Sequence, residues 1–559
     1  MKKLRILLVF MLLISALVFS NTGELDRSKT LIYTGGIWSP PSSWNPIVPW
    51  NAVAGTNGLV YEPLFEYDPI AGEIRPWLAE SGEWVTKNVY RITLRDGVKW
   101  ADGVEFTSKD VVYTFNLAKD NALYFSNIWD YTEKIEALGK RTVLVTFKEN
   151  PRYVAWNNSI TDVTIVPEHI WSKMTIDQIL VAANRDPIGT GPYKVSRVTQ
   201  DRLVWERLDD WWGNNVFGQP APQHIVARIV FSNNVILGSI MKGELDFANN
   251  FIPGIPTIKD RFGVKTYYDN APYMISWNTA MLFLNTNRKP LDDVNFRRAI
   301  AFAINQQTIV NRVYENMVAP SNPTGLVGTN WMEYYDEKVV EEYGFKFDPS
   351  EARRMLNRAG YIDRTGDGWR NAPDGSNIDL TIIVPNGWTD WMESIRSISE
   401  DLRAVGIKAT PQFPDTSLYE DRMYTGNFDM LINTYGSTIS FSPYTYWSWV
   451  GNERIDGERA TTGNFGRYND PELFQAIRDF AYLQPEDAKA YELASFIQKR
   501  LLQEMPSIPI WHNGLWMQMT EEYWTNWPSE DNPTGLACGW AGVWNKGTIR
   551  ALIELKPAK

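Results

Sequence analysis

Residues 378–413 read IDLTIIVPNGWTDWMESIRSISEDLRAVGIKATPQF. The run IDLTIIV is short, apolar and β-branched, which predicts a buried strand. Trp391, Ile395, Ile398, Leu402 and Val405 then recur at helical spacing, so one face of a helix is apolar. Gly406 stops that helix, and IKATPQF supplies a second strand. A strand, a crossover helix and a second strand form a βαβ unit, in which the strands lie parallel. This stretch therefore predicts an α/β fold.

The flanking sequence agrees. LDDVNFRRAIAFAIN opens a helix capped near Asp292 or Asp293. Asp348-Pro349-Ser350-Glu351 starts another, with proline at its first position, and Gly360 ends it. Asp470-Pro471 begins a helix, and Pro485 precedes a long one to about Glu504. Upstream, LIYTGG and RTVLVTF read as strands, and YRITLRDGVKW as a hairpin about Asp96-Gly97, with a second turn at Asp102-Gly103. Thr107-Ser108 caps a further helix.

Composition narrows the function. The 559 residues carry a net charge of −11, which argues against nucleic acid, a partner that demands a basic patch. A single cysteine, Cys538, excludes an internal disulfide and a cysteine-built zinc site. His169, His224 and His512 are far apart and form no metal-binding pair. The chain holds 25 Trp, 26 Tyr and 24 Phe, more large amphipathic rings than a core requires.

The N-terminus has the grammar of a secretory signal. Lys2, Lys3 and Arg5 precede an apolar run from Ile6 to Phe19, with cleavage expected before Asn21. No cysteine lies there to carry a lipid. The expected location is periplasmic, with residues 1–20 removed.

Several motifs occur in order: YEPLFEYD (61–68), RPWLAE (75–80), LRDGVKWADGVEFTSKDVVYTF (94–115), GTGPYKV (189–195), GELDFA (243–248), NTNRKPLDDVNFRRAIAFAIN (285–305), DPSEARRMLNRAGY (348–361), and LRAVGIKATPQF followed by GNFDM (402–430). Together they resemble the extracellular solute-binding proteins of ABC importers, family 5, the peptide- and oligosaccharide-binding group. The resemblance implies a two-lobed α/β periplasmic-binding-protein fold with a hinge, and an extra domain inserted in the first lobe. Mapped onto this chain, the first lobe takes 21–58, 178–268 and 512–559. The extra domain takes 59–177 and the second lobe 269–511, with hinge crossings near 266–276 and 508–516. It further implies a monomer that captures a ligand between the lobes, performs no chemistry and delivers to a membrane permease.

Peptide binders of this family hold the ligand's ammonium with an acid in the segment after the GNFDM-like strand. Here that segment, NTYGSTISFSPYTYWSWVGN (433–452), has no charge at all. A buried ammonium without a carboxylate costs several kcal/mol. Aromatic faces with Asn, Ser and Thr suit a sugar instead: rings cover its C–H face and neutral groups pair with its hydroxyls. The expected ligand is a neutral oligosaccharide, with a lean toward β-1,4-linked cello- or manno-oligosaccharides. Trp38, Asn250, Trp388, Tyr435, Trp447, Trp449 and Trp540 are the expected contacts. Peptide binding on the same scaffold is the alternative, with an ammonium partner in a segment such as 389–422. A secreted glycoside hydrolase would need a carboxylate pair about 5–10 Å apart, and no nucleophile or metal motif supports one.

DRTGDGWRNAPD (363–374) has the odd-position spacing of a calcium loop, with Asp363, Thr365, Asp367 and Asp374 as candidate ligands. Thr365 at the third place and Asp374 in place of glutamate at the twelfth depart from that pattern.

Overall fold

The computed structural model describes residues 25–37, 41–48 and 52–558, apart from 122, 150, 231, 436–439, 456, 458, 461 and 462. The βαβ unit is present. Strands Leu380–Ile383 and Ala409–Gln412 pair in parallel, joined by the helix Thr389–Ala404. That helix buries Trp391, Ile395, Ile398 and Leu402. Gly406 takes φ +84°, a left-handed conformation that suits glycine, and Ile407 N–H bonds back to the Leu402 carbonyl at 2.9 Å.

The unit forms one edge of a six-stranded mixed sheet in the order 319–320, 507–515, 275–284, 430–435, 380–383, 409–412. This is the second lobe. The first lobe holds a seven-stranded sheet in the order 264–265, 518–520, 247–248, 30–34, 224–228, 202–207, 193–198. Strand Thr30–Thr34 runs parallel to both neighbours, His224–Arg228 and Phe247–Ala248.

The inserted region carries a four-stranded antiparallel sheet, 79–86, 89–94, 142–147 and 132–138, and the helix Ser108–Leu117. Thr107 and Asp110 form a reciprocal capping box at that helix. One turn differs from expectation. Strand Val89–Leu94 pairs back with Ala79–Thr86, so Asp96-Gly97 leads the chain out of the sheet. The small hairpin instead closes about Asp102-Gly103, where Trp100 N–H reaches the Val104 carbonyl at 2.8 Å.

The chain crosses between lobes twice. Residues 266–274 link strand 264–265 to strand Ile275–Leu284. The return lies at Trp516-Met517, because strand Ser507–Leu515 stays paired with the second-lobe strand up to Leu515 opposite Ile275. That crossing lies at the C-terminal end of the stretch 508–516 named from the sequence. One apolar core joins the first lobe to the inserted region. A second runs from Ile236, Ile240 and Ile255 of the first lobe through Met274, Trp511 and Trp516 into the second lobe. The inserted region also touches the second lobe: Asn330 Nδ2 donates to the Gly72 carbonyl at 2.9 Å.

Candidate functional site

In open α/β sheets ligands bind beyond the carboxyl ends of strands. The first lobe has two such ends side by side, since Thr34 pairs with Ala248. Gly35-Gly36 and Asn249-Asn250 follow them. A Cβ on Gly36 would lie 2.2 Å from the Gly539 carbonyl oxygen, so only glycine allows the loop at 537–540 to approach.

Asn249 ties these loops together and is fully buried. Its Nδ2 donates to the Trp516 and Ala537 carbonyls at 2.6 and 2.8 Å. Its Oδ1 accepts from Gly539 N–H at 2.8 Å, and its backbone carbonyl accepts from Trp540 Nε1 at 2.9 Å. Asn249 is thus a positioning residue. Asn250 differs: it is buried, and its Oδ1 has no hydrogen-bond partner among the described residues. Trp540 is half-buried, pinned by its indole nitrogen and packed against two cores.

The second lobe offers the hinge-proximal end of its sheet. Strand Met430–Tyr435 ends with Tyr435 opposite Thr279. Asn278 lies beside a register shift, half-buried, and its Oδ1 also lacks a partner among the described residues. His512 braces the floor. Thr279 Oγ1 donates to the Gly325 carbonyl at 2.7 Å and lies 3.0 Å from His512 Nδ1. Asn322 N–H and Nδ2 face His512 Nε2, both at 3.3 Å. This pattern fits a neutral ring protonated on Nδ1, and burial pushes its pKa down to about 4.

A ladder of rings spans the lobes. Phe251 meets Trp516 at 5.4 Å and Tyr314 at 5.6 Å. Tyr314 meets Trp511 at 5.1 Å, Trp511 meets Trp391 at 6.4 Å, and Trp391 meets Trp388 at 4.7 Å. Trp388 ends the ladder and is 44% exposed, an open aromatic edge. Beside the ladder lies an inter-lobe crevice of about 370 Å³, between Phe251 and Pro253 on one side and Arg312, Glu315 and Asp390 on the other. Its surface charges are engaged: Arg312 with Glu400, Arg396 with Glu393, and Glu315 with Gly254 N–H. Asp390 is half-buried within it, its carboxyl raised to about 6 by desolvation, with the Tyr314 hydroxyl at 3.5 Å.

The expected contacts separate. Asn250 and Trp540 lie on loops tied to Trp516 through Asn249, whereas Trp388 lies at a helix start, four ring contacts away from Trp516. Trp449 is half-buried and stacked on Phe465 at 5.6 Å. Trp447 is fully buried, edge-on to Phe480 at 5.0 Å and near Tyr334. This corrects the expectation for Trp447: the helix Tyr444–Gly451 turns it into the second-lobe core, with no face left to stack on a ligand. Trp38 and the Tyr435 side chain lie outside the described residues. Asn278 was not anticipated; its one signal is a lone amide within the apolar strand ISWNTAMLFL.

In the loop 363–374 the candidate carboxylates hold nearby backbone amides. Asp363 accepts from the amides of Thr365, Gly366 and Gly368. Asp367 accepts from Trp369 N–H, and Asp374 from Ser376. Among the described residues no three acidic, histidine or cysteine side chains converge on one point. The spacing makes hydrogen-bonded turns.

The chain matches the family model described as bacterial extracellular solute-binding proteins, family 5 Middle, over residues 73–457. It is 44% identical to a periplasmic oligopeptide-binding protein of an oligopeptide ABC transporter from Thermotoga maritima, whose crystal structure superposes with a TM-score of 0.92 over 95% of this chain and 100% of that one. A second crystal structure of that protein has mannohexaose bound, with 44% identity, a TM-score of 0.87, and 96% and 99% coverage. The oligopeptide-binding protein AppA from Bacillus subtilis is 22% identical over 441 residues, 77% of each chain.

Proposed function

The chain belongs to the bacterial extracellular solute-binding proteins of family 5, the capture components of ABC importers, and from that premise we propose that its ligand is a neutral oligosaccharide. One observation carries the ligand class. Near the crossings each lobe has a buried amide oxygen without a hydrogen-bond partner among the described residues, Asn250 Oδ1 and Asn278 Oδ1, and the segment 433–452 has no charge. Amide oxygens accept hydrogen bonds from sugar hydroxyls and need no counter-charge. The exposed edge of Trp388 and the half-buried Trp540 supply apolar faces for C–H surfaces, each Å² worth about 25 cal/mol when buried. Mannohexaose in the 44%-identical relative supports the same class. We lean to β-1,4-linked manno- or cello-oligosaccharides, whose flat rings suit aligned indoles.

Binding works by closure. A ligand that touches both lobes favours the closed state by its differential affinity for that state. The crossings at 266–274 and Trp516-Met517 are the hinge. The protein exports through residues 1–20, acts as a periplasmic monomer, and returns its ligand unaltered to the permease.

A peptide ligand is the second reading, and Asp390 favours it. It is a half-buried carboxylate in the crevice wall, within the segment 389–422, and an ammonium could pair with it. An intrinsic tryptophan fluorescence titration separates the two. Manno- and cello-oligosaccharides of two to six units should give saturable shifts, and peptides of two to six residues none. Saturation by peptides alone would overturn the proposal.

A further inference from the structure

The inserted region and the first lobe share one apolar core, so the two turn as one body about the hinge. The inserted region nevertheless grips the second lobe at three places. Val154, on the helix Tyr153–Asp162, is 2% exposed and packs in the second-lobe cluster that holds Trp447 and Phe480. Among the described residues it is the one buried member of that cluster from outside the second lobe, and it is absent from the core of its own region. Its N–H donates to the Ala481 carbonyl at 3.3 Å. Next to it, the Arg152 guanidinium lies over two rings, 5.8 Å from Tyr131 of the inserted region and 5.1 Å from Tyr482 of the second lobe.

The third grip reaches the uncharged segment 433–452. Phe441 N–H donates to Asn158 Oδ1 at 3.3 Å, and the Phe441 ring meets Tyr67 edge-on at 5.8 Å. Asn330 ties both sides together: its Nδ2 donates to the Gly72 carbonyl at 2.9 Å and to the Phe441 carbonyl at 3.4 Å. Thr329 Oγ1 adds a bond to the Ile70 carbonyl at 3.2 Å. A Cβ on Gly72 would lie 1.9 Å from Asn330 Oδ1, so the two surfaces meet closely. None of these residues belongs to a crossing. A rotation about the hinge that parts the lobes must therefore pull the grips apart, and they belong to the closed arrangement alone.

We propose that the inserted region is a closure clasp, which grips the second lobe only when the lobes close and, through Phe441, is coupled to ligand held by the segment 433–452. The inference rests on the closure reading above and needs no particular ligand class. Apparent affinity scales with the population of the binding-competent closed state. The clasp raises that population, so weakening it lowers affinity without removing any ligand contact.

Two experiments test it, the first without ligand. Val154→Cys combined with Ala481→Cys puts thiols on backbones that touch across the clasp, and the native Cys538 is fully buried. Oxidation of the ligand-free double variant should form a disulfide between positions 154 and 481. Small-angle scattering should then give the cross-linked protein a smaller radius of gyration than the same protein reduced. No cross-link, or equal radii, would overturn the clasp, because the two surfaces would then never meet or never part. The second experiment is calorimetric titration of wild type, Val154→Asp and Asn330→Ala with mannohexaose. Val154→Asp buries a charge in the closed state and leaves the inserted region's own core intact, so its circular dichroism should match wild type while affinity falls about a hundredfold. Asn330→Ala should lose about fivefold. Wild-type affinity in both variants would overturn the clasp. Silence of the wild type toward mannohexaose would overturn the ligand reading alone, and the cross-link then decides the clasp.

Discussion

Segments 433–452 and 535–548 look alike in sequence. Both are rich in tryptophan and nearly free of charge, Lys546 being the exception. The structure uses them in opposite ways. In the first, the strand Met430–Tyr435 is followed by the helix Tyr444–Gly451, whose periodicity carries Tyr446 and Trp447 into the core. In the second, residues 536–543 form no regular element. Their backbone groups must be satisfied from outside, and the side chain of Asn249 does much of this. That pinning holds Trp540 half-buried beside the crossings. Neutral aromatic composition therefore marks both a buried core and a half-buried loop. What separates them is whether a helix turns the rings inward or a braced loop holds them at a rim.

Trp447→Ala should give the largest effect. Emptying a fully buried indole site costs about 3–5 kcal/mol. Chemical denaturation should register that loss, while the remaining folded protein binds ligand within about threefold of wild type. Trp540→Ala should do the reverse, weakening ligand about ten- to hundredfold at a smaller stability cost. An affinity loss at Trp447 with full stability would break the comparison.

Adjacent asparagines sharpen it. Asn249→Ala leaves several buried groups unpaired and should cost about 3 kcal/mol in denaturant unfolding. Asn250→Ala removes an oxygen that has no partner among the described residues, so stability should hold within about 1 kcal/mol. Its affinity for oligosaccharide should fall about tenfold. Equal stability losses would mean that Asn250 is a second brace.

His512 links the second-lobe floor to pH. Its folded pKa, about 4, lies below the unfolded value of 6.5. Between those values the unfolded chain binds more protons, so stability falls as pH drops from 6.5 toward 4, by at most roughly 3 kcal/mol. Buried Glu62, pushed up to about 8, has the opposite slope, gaining stability as pH falls from 8. His512→Gln should therefore flatten only the acid limb of a stability–pH curve. An unaltered limb would remove His512 from the account.

The smallest effect is expected at 363–374. Asp367→Ala and a calcium chelator should each leave the melting temperature unchanged by thermal scan, because these carboxylates already hold their own backbone amides. A chelator-dependent fall would restore a cation to the loop.

The fold was legible because its signals are local. The apolar stripe of Trp391, Ile395, Ile398 and Leu402, the glycine at 406 and the cap at Thr107 each have one low-energy outcome. The Asp96-Gly97 turn was misread because strand 89–94 chose a partner upstream, a tertiary choice that no turn dipeptide encodes. The site was legible only in composition. Trp388 and Trp391 are three residues apart, yet one is 44% exposed and the other 6%, a difference of helix position. Trp447 was misassigned because its neutral surroundings resemble those of a cleft. Asn278 was invisible, since its position depends on which distant strands are brought together.

The central claim is a neutral sugar chain held between two lobes. Isothermal titration with mannohexaose, beside an uncharged-side-chain hexapeptide, tests it most directly. The account predicts a saturable one-site isotherm for mannohexaose with a negative heat-capacity change from buried apolar surface, and no binding heat for the peptide. Saturable peptide binding with a silent mannohexaose titration across temperatures would contradict it.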